Sequence, residues 1–226
     1  MTDAQARRLW DRAAAVAPGG AILEIGSFRG RSAIVLARAA PEGARVTAVD
    51  PHAGGDRGPQ EIEPDRALGD SDYAAFHTNL ARAGVAETVR HVRLPSAAAL
   101  DEVDGELDLL YVDGAHRYGP ARDDIARWGE RVRPGGRMLI HDAFSSIGVT
   151  LAICRVLLAP GRGWRYAGRS GSLAEYVRDA GGVEHTLRQL AQLPWFARNV
   201  AVKLLLVLRL RPLTRLLGHR SGDWPY

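Results

Sequence analysis

Residues 22–36 read ILEIGSFRGRSAIVL, and this stretch decides the fold. An apolar run typical of a buried strand comes first, a turn with Gly26 and Gly30 follows, and the first turns of a helix end the stretch. Glycine lets the backbone turn sharply and approach a ligand closely, while the free N–H groups at the helix start face whatever lies there. The pattern predicts a strand, a turn and a helix that together hold a nucleotide-type cofactor.

A carboxylate follows the second apolar run, at Asp50. It lies about twenty residues after the glycine turn, where a carboxylate can hydrogen-bond the two hydroxyls of a ribose. A dinucleotide fingerprint needs G-x-G-x-x-G to hold a pyrophosphate, whereas Gly26 and Gly30 leave only G-x-x-x-G. Glu24 would repel phosphates but attract the cationic end of S-adenosylmethionine. These residues favour this methyl donor over a nicotinamide cofactor and over a purely structural turn.

Composition narrows the class of protein. The 226 residues suit one α/β domain, predicted as residues 1–182, and an appendage, residues 183–226. The single Cys154 allows no internal disulfide and the first residues lack an apolar signal core, which predicts a cytoplasmic protein. The net charge of +4 comes from arginine, because Lys203 is the only lysine, and no nucleic-acid-binding motif accompanies it. We therefore expect no nucleic-acid partner.

Strand and helix patterns alternate along most of the chain. The predicted strands lie near residues 21–25, 45–49, 89–93, 107–112 and 137–141, and the predicted helices near residues 3–16, 31–40, 73–83, 120–131 and 148–158. This alternation predicts an α/β fold with a doubly wound, mostly parallel sheet, to which residues 164–168 and 173–177 add an antiparallel edge hairpin. Ligands of such sheets bind beyond the carboxyl ends of the strands, where this sequence has Gly26, Asp50, Ser96, Asp113 and Asp142.

Residues 51–72 form a long polar segment that is rich in glycine and proline and has no periodicity. Long loops inside compact domains are usually functional or disordered, and this one leaves the cofactor-binding edge of the sheet. We interpret it as an active-site lid, and the alternative is a mobile surface insertion.

Two neighbouring strand ends carry side chains that can bind a metal ion. Asp113 ends one strand, and His141 and Asp142 end the next. Two carboxylates and an imidazole suit an octahedral divalent ion whose other positions go to water and substrate oxygens. His116 lies in the loop above the sheet, three residues after Asp113. The convergence of these residues, and not any one of them alone, predicts a divalent-metal site.

The segment from Leu23 to Ala33 resembles the donor-binding segment of the metal-dependent class I O-methyltransferases, a group with catechol, caffeoyl-CoA and macrocin-type sugar methyltransferases. The resemblance spans residues 20–145 apart from the 51–72 segment. It implies that the donor site comprises Glu24 near the methionine part, Gly26, Ser27, Gly30, Ser32 at the donor carboxylate, Asp50 at the ribose, Ser96 beside the adenine, and Asp113. It also implies that the metal ligands are Asp113, His141 and Asp142 and that His116 is the catalytic base.

Two departures from the catechol-type pattern refine the expected chemistry. His116 replaces a lysine at the base position, which brings the chain closer to the macrocin-type subgroup. His141 replaces an acidic ligand, and an imidazole shifts the expected ion from Mg, still the first choice, towards Mn, Fe or Zn. Chelation favours an acceptor with two neighbouring oxygens. Because the resembling subgroup acts on sugars and only 7% of the residues are aromatic, we expect a small-molecule acceptor with a sugar or glycoside hydroxyl.

The C-terminal appendage is basic and apolar. From Thr186 to Gly222 it has no acidic residue, and its longest apolar run, residues 204–208, is far shorter than the ~20 residues that span a bilayer. It forms either a helix that packs on the domain or in a homodimer interface, or a helix within residues 186–220 that lies on a membrane surface. We expect burial against protein for Val200, Leu204 and Leu208.

Three functions are therefore open. The first is a metal-dependent O-methyltransferase. The second is a catalytically silent donor-binding protein that the appendage holds on a membrane. The third is a nicotinamide-dependent oxidoreductase, which the missing middle glycine and the carboxylate of Glu24 disfavour.

Overall fold

The computed structural model describes residues 1–55, 63–159 and 161–219. Its strands are β1 (Ala21–Ile25), β2 (Arg45–Val49), β3 (Val89–Val92), β4 (Leu107–Val112), β5 (Val132–Ile140), β6 (Trp164–Ser170) and β7 (Leu173–Arg178). Its α-helices are α1 (Asp3–Ala14), α2 (Arg31–Ala39), α3 (Arg66–Arg82), α4 (Ser96–Ala99), α5 (Tyr118–Asp123), α6 (Ile147–Leu157), α7 (Val183–Leu190), α8 (Leu193–Val207) and α9 (Arg211–Thr214). A π-helical turn, Asp124–Trp128, continues α5, and a 3₁₀ turn, Arg215–Leu217, follows α9.

The seven strands form one sheet in the order β3-β2-β1-β4-β5-β7-β6. β1 and β4 are parallel neighbours in its middle, with β2 and β5 on either side. β7 runs antiparallel to both β5 and β6, so the predicted hairpin closes one edge of the sheet. The chain winds outwards in both directions from β1 and β4, which opens a crevice at their carboxyl ends. The predicted fold class, a doubly wound and mostly parallel α/β sheet with an antiparallel edge hairpin, is confirmed.

Apolar clusters cover both faces of the sheet. Successive side chains of a strand point to opposite faces. Accordingly, Ile22 packs in a cluster with Leu9 of α1 and Leu36 of α2, whereas Leu23 packs in a second cluster with Trp128. Every residue of β1 is buried, as expected for a central strand of a parallel sheet. Packing on both faces fixes the strand ends that carry the predicted site.

Helix α3 begins several residues earlier than predicted. The carboxylate of Asp65 caps it by accepting a hydrogen bond from the N–H of Leu68 at 3.0 Å. The first turns bury Gly69 and Asp72 instead of apolar side chains, so hydrophobic periodicity does not reveal them. Asp72 pairs with Arg29 at 2.8 Å. The predicted loop is therefore shorter at its C-terminal end than the sequence indicated.

Two glycines close the base of the loop before α3. A Cβ on Gly69 would lie 2.9 Å from the backbone nitrogen of Gly54 and 2.0 Å from the carbonyl oxygen of His52, so this close contact has no room for a side chain. The middle of the predicted lid, residues 56–62, lies outside the described residues. The lid therefore stays a prediction.

Strand β5 also begins earlier than predicted, at Val132. Leu107 of β4 pairs with Val132, whereas Leu109 already pairs with Arg137. The intervening residues 133–136 therefore bulge from the ladder. Their sequence is RPGG. Because proline and glycine are typical of turns, the sequence pattern does not reveal the first part of this strand.

The appendage comprises α7, α8 and α9, and α7 begins at the predicted boundary after residue 182. Trp195 and Phe196 pack against the core of the domain. The fully or nearly fully buried residues of these helices are Gln189, Asn199, Val202 and Thr214. One face of the appendage is therefore attached to the domain. The division into two domains itself stays a prediction.

The opposite face of the appendage bears on two expectations. Leu204 and Leu208 are 57% and 56% exposed and Val200 is half-buried, so the domain does not bury them, and their expected burial in a second subunit stays a prediction. Within the described residues, Val183–Val207 is long and apolar enough to cross a membrane, contrary to the expectation from residues 204–208 alone. This finding concerns length and composition only, and core helices of soluble proteins pass the same test.

Replacement of Gly26 by alanine is expected to destabilise the protein more than the same replacement at Gly84. Both glycines have positive φ, 85° and 68°, so each alanine adopts a left-handed conformation at a cost of roughly 1–2 kcal/mol. Only at position 26 would the new Cβ also lie 2.2 Å from the carbonyl oxygen of Asp113. Urea unfolding of the two variants measures the difference. Equal losses of stability in the two variants would show that the turn after β1 can move away from Asp113 without a cost in the free energy of unfolding.

Candidate functional site

The predicted site residues gather where β1, β2, β4 and β5 end. Gly26 follows β1, and its N–H donates to the carbonyl oxygen of Val49 of β2 at 2.9 Å. A Cβ at this position would collide with the backbone of Asp113 beyond β4. Gly26 thus allows three strand ends to meet. The sequence interpretation assigned this glycine to a ligand and did not include this packing role. Gly30 is the left-handed N-cap of α2.

Asp50 holds the glycine turn from the neighbouring strand end. One carboxylate oxygen accepts from the N–H of Phe28 at 2.8 Å, and the other accepts from the N–H of His52 at 2.8 Å. The His52 ring contacts the carbonyl oxygen of Phe28 through Nε2 at 2.7 Å, so both backbone groups of Phe28 are held. A carboxylate oxygen has two lone pairs. Asp50 can therefore also accept hydrogen bonds from the two hydroxyls of a ribose.

Glu24 is fully buried near the end of β1, and neither carboxylate oxygen has a well-formed hydrogen bond among the described residues, although the Ser32 hydroxyl lies close enough to lower its pKa. Burial raises the pKa of Glu24 to about 8, the carboxylates of Asp113 and Asp50 act in the same direction, and the Ser32 hydroxyl offsets only part of the shift. A buried carboxylate without a partner costs free energy. A cationic ligand at the glycine turn would supply the partner, so this residue fits the charge of S-adenosylmethionine.

The three predicted serines occupy two places along this edge. Ser27 is buried directly after Gly26, and within the described ranges its hydroxyl has no hydrogen-bond partner. Ser32 lies in the first turn of α2. Ser96 begins α4 and donates to Asp124 at 2.5 Å, and burial raises the pKa of Asp124 to about 6. Ser27 and Ser32 thus lie at the turn, whereas Ser96 lies against the π-helical turn that follows α5.

The four predicted groups beyond β4 and β5 converge. Nδ1 of His141 lies 3.1 Å from Oδ1 of Asp113 and 3.5 Å from Oδ1 of Asp142. Nε2 of His116 lies 3.3 Å from Oδ2 of Asp142 and 3.9 Å from Oδ1 of Asp113. Asp142 has a left-handed backbone, with φ 54°, at the turn that leaves β5. Two carboxylates and two imidazoles therefore form one cluster, which we call the strand-end cluster.

Charge pairing sets the protonation of the strand-end cluster. Burial alone would lower the pKa of His141, but the carboxylates of Asp113 and Asp142 raise it to about 10. The pKa of His116 is also raised, because the same carboxylates outweigh its burial. Burial would raise the pKa of each carboxyl, but the histidines hold the pKa of Asp113 and that of Asp142 below the ordinary value. At neutral pH the cluster therefore holds two carboxylates and an imidazolium at His141.

The side chains of the cluster suit a divalent ion by type, whereas their arrangement does not. In the part of the chain that the structure describes, no three His, Cys, Asp or Glu side chains are placed to hold one metal ion. Each carboxylate faces a histidine, and His141 would have to release a proton before it could bind a metal. The metal ligands Asp113, His141 and Asp142 stay a prediction.

Sequence reasoning missed two side chains beside the cluster. The hydroxyl of Tyr111 donates to Oδ2 of Asp113 at 2.8 Å. The spacing of two along β4 places both residues on one face, so the sequence contained this signal. The ammonium of Lys203 donates to the carbonyl oxygen of Ser145, three residues after Asp142, at 2.7 Å. No local pattern indicates that contact, because α8 is distant in sequence.

Comparison with known proteins places the chain in a family. A family profile described as "Methyltransferase domain" matches residues 23–143, which is more than half of the chain. The matched segment begins in β1 and ends just beyond Asp142, so it contains the glycine turn and the strand-end cluster.

Three solved structures share the fold. The O-methyltransferase NovP is 18% identical, with 78% of this chain and 80% of that chain covered and a TM-score of 0.62. TomG, an O-methyltransferase from Streptomyces achromogenes involved in tomaymycin synthesis and solved with SAM, is 22% identical, with 80% and 82% covered and a TM-score of 0.54. An O-methyltransferase from Bacillus cereus, solved with SAH, is 19% identical, with 79% and 82% covered and a TM-score of 0.57.

At these identities the solved structures support the fold alone, and the family rests on the profile. That match confirms that the chain is a methyltransferase, as predicted, whereas the metal dependence and the sugar acceptor of the predicted subgroup stay predictions. The chain belongs to the methyltransferase-domain family and has the Rossmann-like fold of the class I methyltransferases.

Proposed function

We propose that this methyltransferase moves the methyl group of S-adenosylmethionine to a hydroxyl oxygen of a small-molecule acceptor. The observation that carries the proposal is the Glu24 carboxylate, buried beside the glycine turn without a hydrogen-bond partner in the described residues. A cationic group would pair with it, whereas a phosphate would be repelled. Asp50 offers acceptors for ribose hydroxyls, and the strand-end cluster lies beside the same turn.

The reaction needs alignment and one proton acceptor. The acceptor oxygen forms a bond to the methyl carbon while the carbon–sulfur bond breaks, and the hydroxyl proton passes to Nδ1 of His116, because Nε2 faces the carboxylate of Asp142. Alignment of the reacting atoms can supply up to about 7–11 kcal/mol of the barrier. Asp142, 3.3 Å from Nε2, would hold the hydrogen on that nitrogen and stabilise the imidazolium that results.

Glu24→Gln tests the donor site through pH. In the free protein Glu24 is largely protonated below its pKa of about 8. A cationic donor favours the carboxylate, so wild-type affinity should rise with pH from about 6 to 8, by at most tenfold per pH unit. Glutamine has no such titration, so the variant should match the wild type near pH 6 and bind progressively more weakly in comparison as the pH rises.

Calorimetry with S-adenosylmethionine measures both affinities. The titration of the donor's own amino group is the same for the two proteins, so their difference isolates Glu24. Asp70→Asn, an exposed carboxylate on α3, is the matched control and should follow the wild type. Identical pH dependence of wild type and Glu24→Gln would show that the donor does not contact Glu24.

His116→Ala is expected to lower the rate of methyl transfer by roughly 10²–10⁴ with little change in donor affinity. Because the pKa of His116 is raised, the unprotonated base becomes available as the pH rises, so the wild-type rate should increase through that pKa. The variant should lose this limb of the pH profile. His185→Ala, a histidine of α7 outside the cluster, should keep it. Wild-type turnover in His116→Ala from about pH 6 to pH 8 would assign the proton to another acceptor.

We carry the divalent metal as a separate proposal, which His141 supports. Its Nε2 is buried without a hydrogen-bond partner in the described ranges, and its Nδ1 lies between the carboxylates of Asp113 and Asp142. With Asp113 and Asp142 it offers a mixed oxygen and nitrogen set that Mg, Mn, Fe or Zn accept. A bound ion would polarise the acceptor hydroxyl.

Metal removal distinguishes methyl transfer that needs a divalent ion from methyl transfer that needs only the side chains of the protein. Asp113→Asn and Asp142→Asn should abolish transfer while the fold is retained, and a chelator should mimic them. Because His141 holds a proton at neutral pH, binding of Mn²⁺ should release about one proton, which calorimetry in buffers of different ionisation enthalpy detects. Full activity of metal-free protein in excess chelator would remove the ion from the reaction.

We propose a hydroxyl of a sugar or glycoside as the acceptor, supported by the low aromatic content and by histidine at the base position. The homodimer and the cytoplasmic location stay predictions from the sequence. Donor binding without transfer to any hydroxyl acceptor would favour the alternative of a catalytically silent protein. Preferential binding of a nicotinamide cofactor would favour the oxidoreductase.

A further inference from the structure

The outer face of the appendage exposes many large apolar side chains. We define the appendage surface as Leu204, Val207, Leu208, Leu210, Leu213 and Leu216. Their exposed fractions run from 43% to 83%. Clusters of exposed apolar residues on a soluble chain indicate an interaction site. The question is which partner covers them.

Arginines lie between these apolar residues. Arg209, Arg211 and Arg215 are exposed, and the sequence has no acidic residue between Glu184 and Asp223. The segment is therefore cationic throughout, and a surface of negative charge complements it. Leucine with interspersed arginine is the composition of helices that lie in the plane of a membrane interface.

The inner face attaches the appendage to the domain. Asn199 is fully buried and donates to the carbonyl oxygen of Phe144 at 3.1 Å, while Lys203 donates to that of Ser145. The guanidinium of Arg169 stacks on the ring of Trp195 at 3.9 Å. These contacts hold α8 on the domain, so the exposed face points away from the contacts that the chain makes with itself.

A second copy of the chain suits this surface less well than a membrane does. A twofold contact places the same patch against itself. The exposed arginines of one copy would then meet those of the other, and the segment has no carboxylate to compensate. Anionic lipid headgroups remove this repulsion, and the acyl region accepts the leucines.

We propose that the appendage surface docks the protein on an anionic membrane surface, with α8 lying along the interface. Phe144 and Ser145, whose carbonyl groups hold α8, follow Asp142 directly in the chain. The docked face therefore lies one helix diameter, ~10 Å, from the turn that carries Asp142. This interaction goes beyond methyl transfer and does not depend on it.

Vesicle flotation of the full-length protein tests the docking. The probes are vesicles of equal parts phosphatidylglycerol and phosphatidylcholine and vesicles of phosphatidylcholine alone. We expect binding to the anionic vesicles that weakens with added salt. Leu204→Gln combined with Leu208→Gln should weaken it about tenfold or more. Combined replacement of Arg209, Arg211 and Arg215 by glutamine should weaken it by roughly a hundredfold.

Matched controls and a mass measurement complete the test. Leu68→Gln and Arg66→Gln change an exposed leucine and an exposed arginine on α3 and should leave vesicle binding unchanged. Full-length protein that binds neither vesicle would overturn the proposal. A dimer in light scattering that the Leu204 and Leu208 replacements convert to a monomer would also overturn it, because a second copy would then cover the surface. Donor calorimetry without vesicles reports separately on the proposed function.

Discussion

The site depends on one close approach between two segments of backbone. The turn after β1 and the end of β4 lie so near that Gly26 has no room for a side chain against Asp113. This contact brings Glu24 at the end of β1 to the same edge of the sheet as the strand-end cluster, whose residues follow β4 and β5. A wider spacing would separate the groups that we propose to act together in methyl transfer. In a parallel sheet the crossover helices cover the faces and leave this edge free.

Several carboxylates share that edge, and each is accommodated differently. Asp50 accepts backbone N–H groups, whereas Asp113 and Asp142 face imidazoles. Glu24 alone is accommodated by burial, which favours its neutral acid form and raises its pKa to about 8. The negative charges of Asp113 and Asp50 add to this shift, because like charges repel in a buried site. In the free protein the other carboxylates therefore have partners and Glu24 is held as the neutral acid. A cationic ligand would pair with the ionised form of Glu24.

The sequence predicts the centre of this fold better than its periphery. β1, β2 and β4 have the predicted limits, because central parallel strands are apolar runs bounded by glycine and aspartate. α3 and β5 were mispredicted at their starts, where buried Gly69 and Asp72 and the RPGG bulge conceal the periodicity. The strand-end residues could be predicted because topology alone brings them together. The Asp50 contacts with Phe28 and the contact of Lys203 with the turn after β5 could not, since they depend on side-chain geometry and on a distant helix.

The single lysine has a practical consequence. Apart from the N-terminus, Lys203 is the only amine in the chain, and it is half-buried where α8 meets the domain. Burial lowers the pKa of this amine, which favours its neutral, reactive form. Its reaction with a reagent is therefore limited by access and not by protonation. An amine-directed reagent therefore has one side-chain target. The rate at which that amine is acylated would report how often α8 lifts from the domain, without any label having to be introduced.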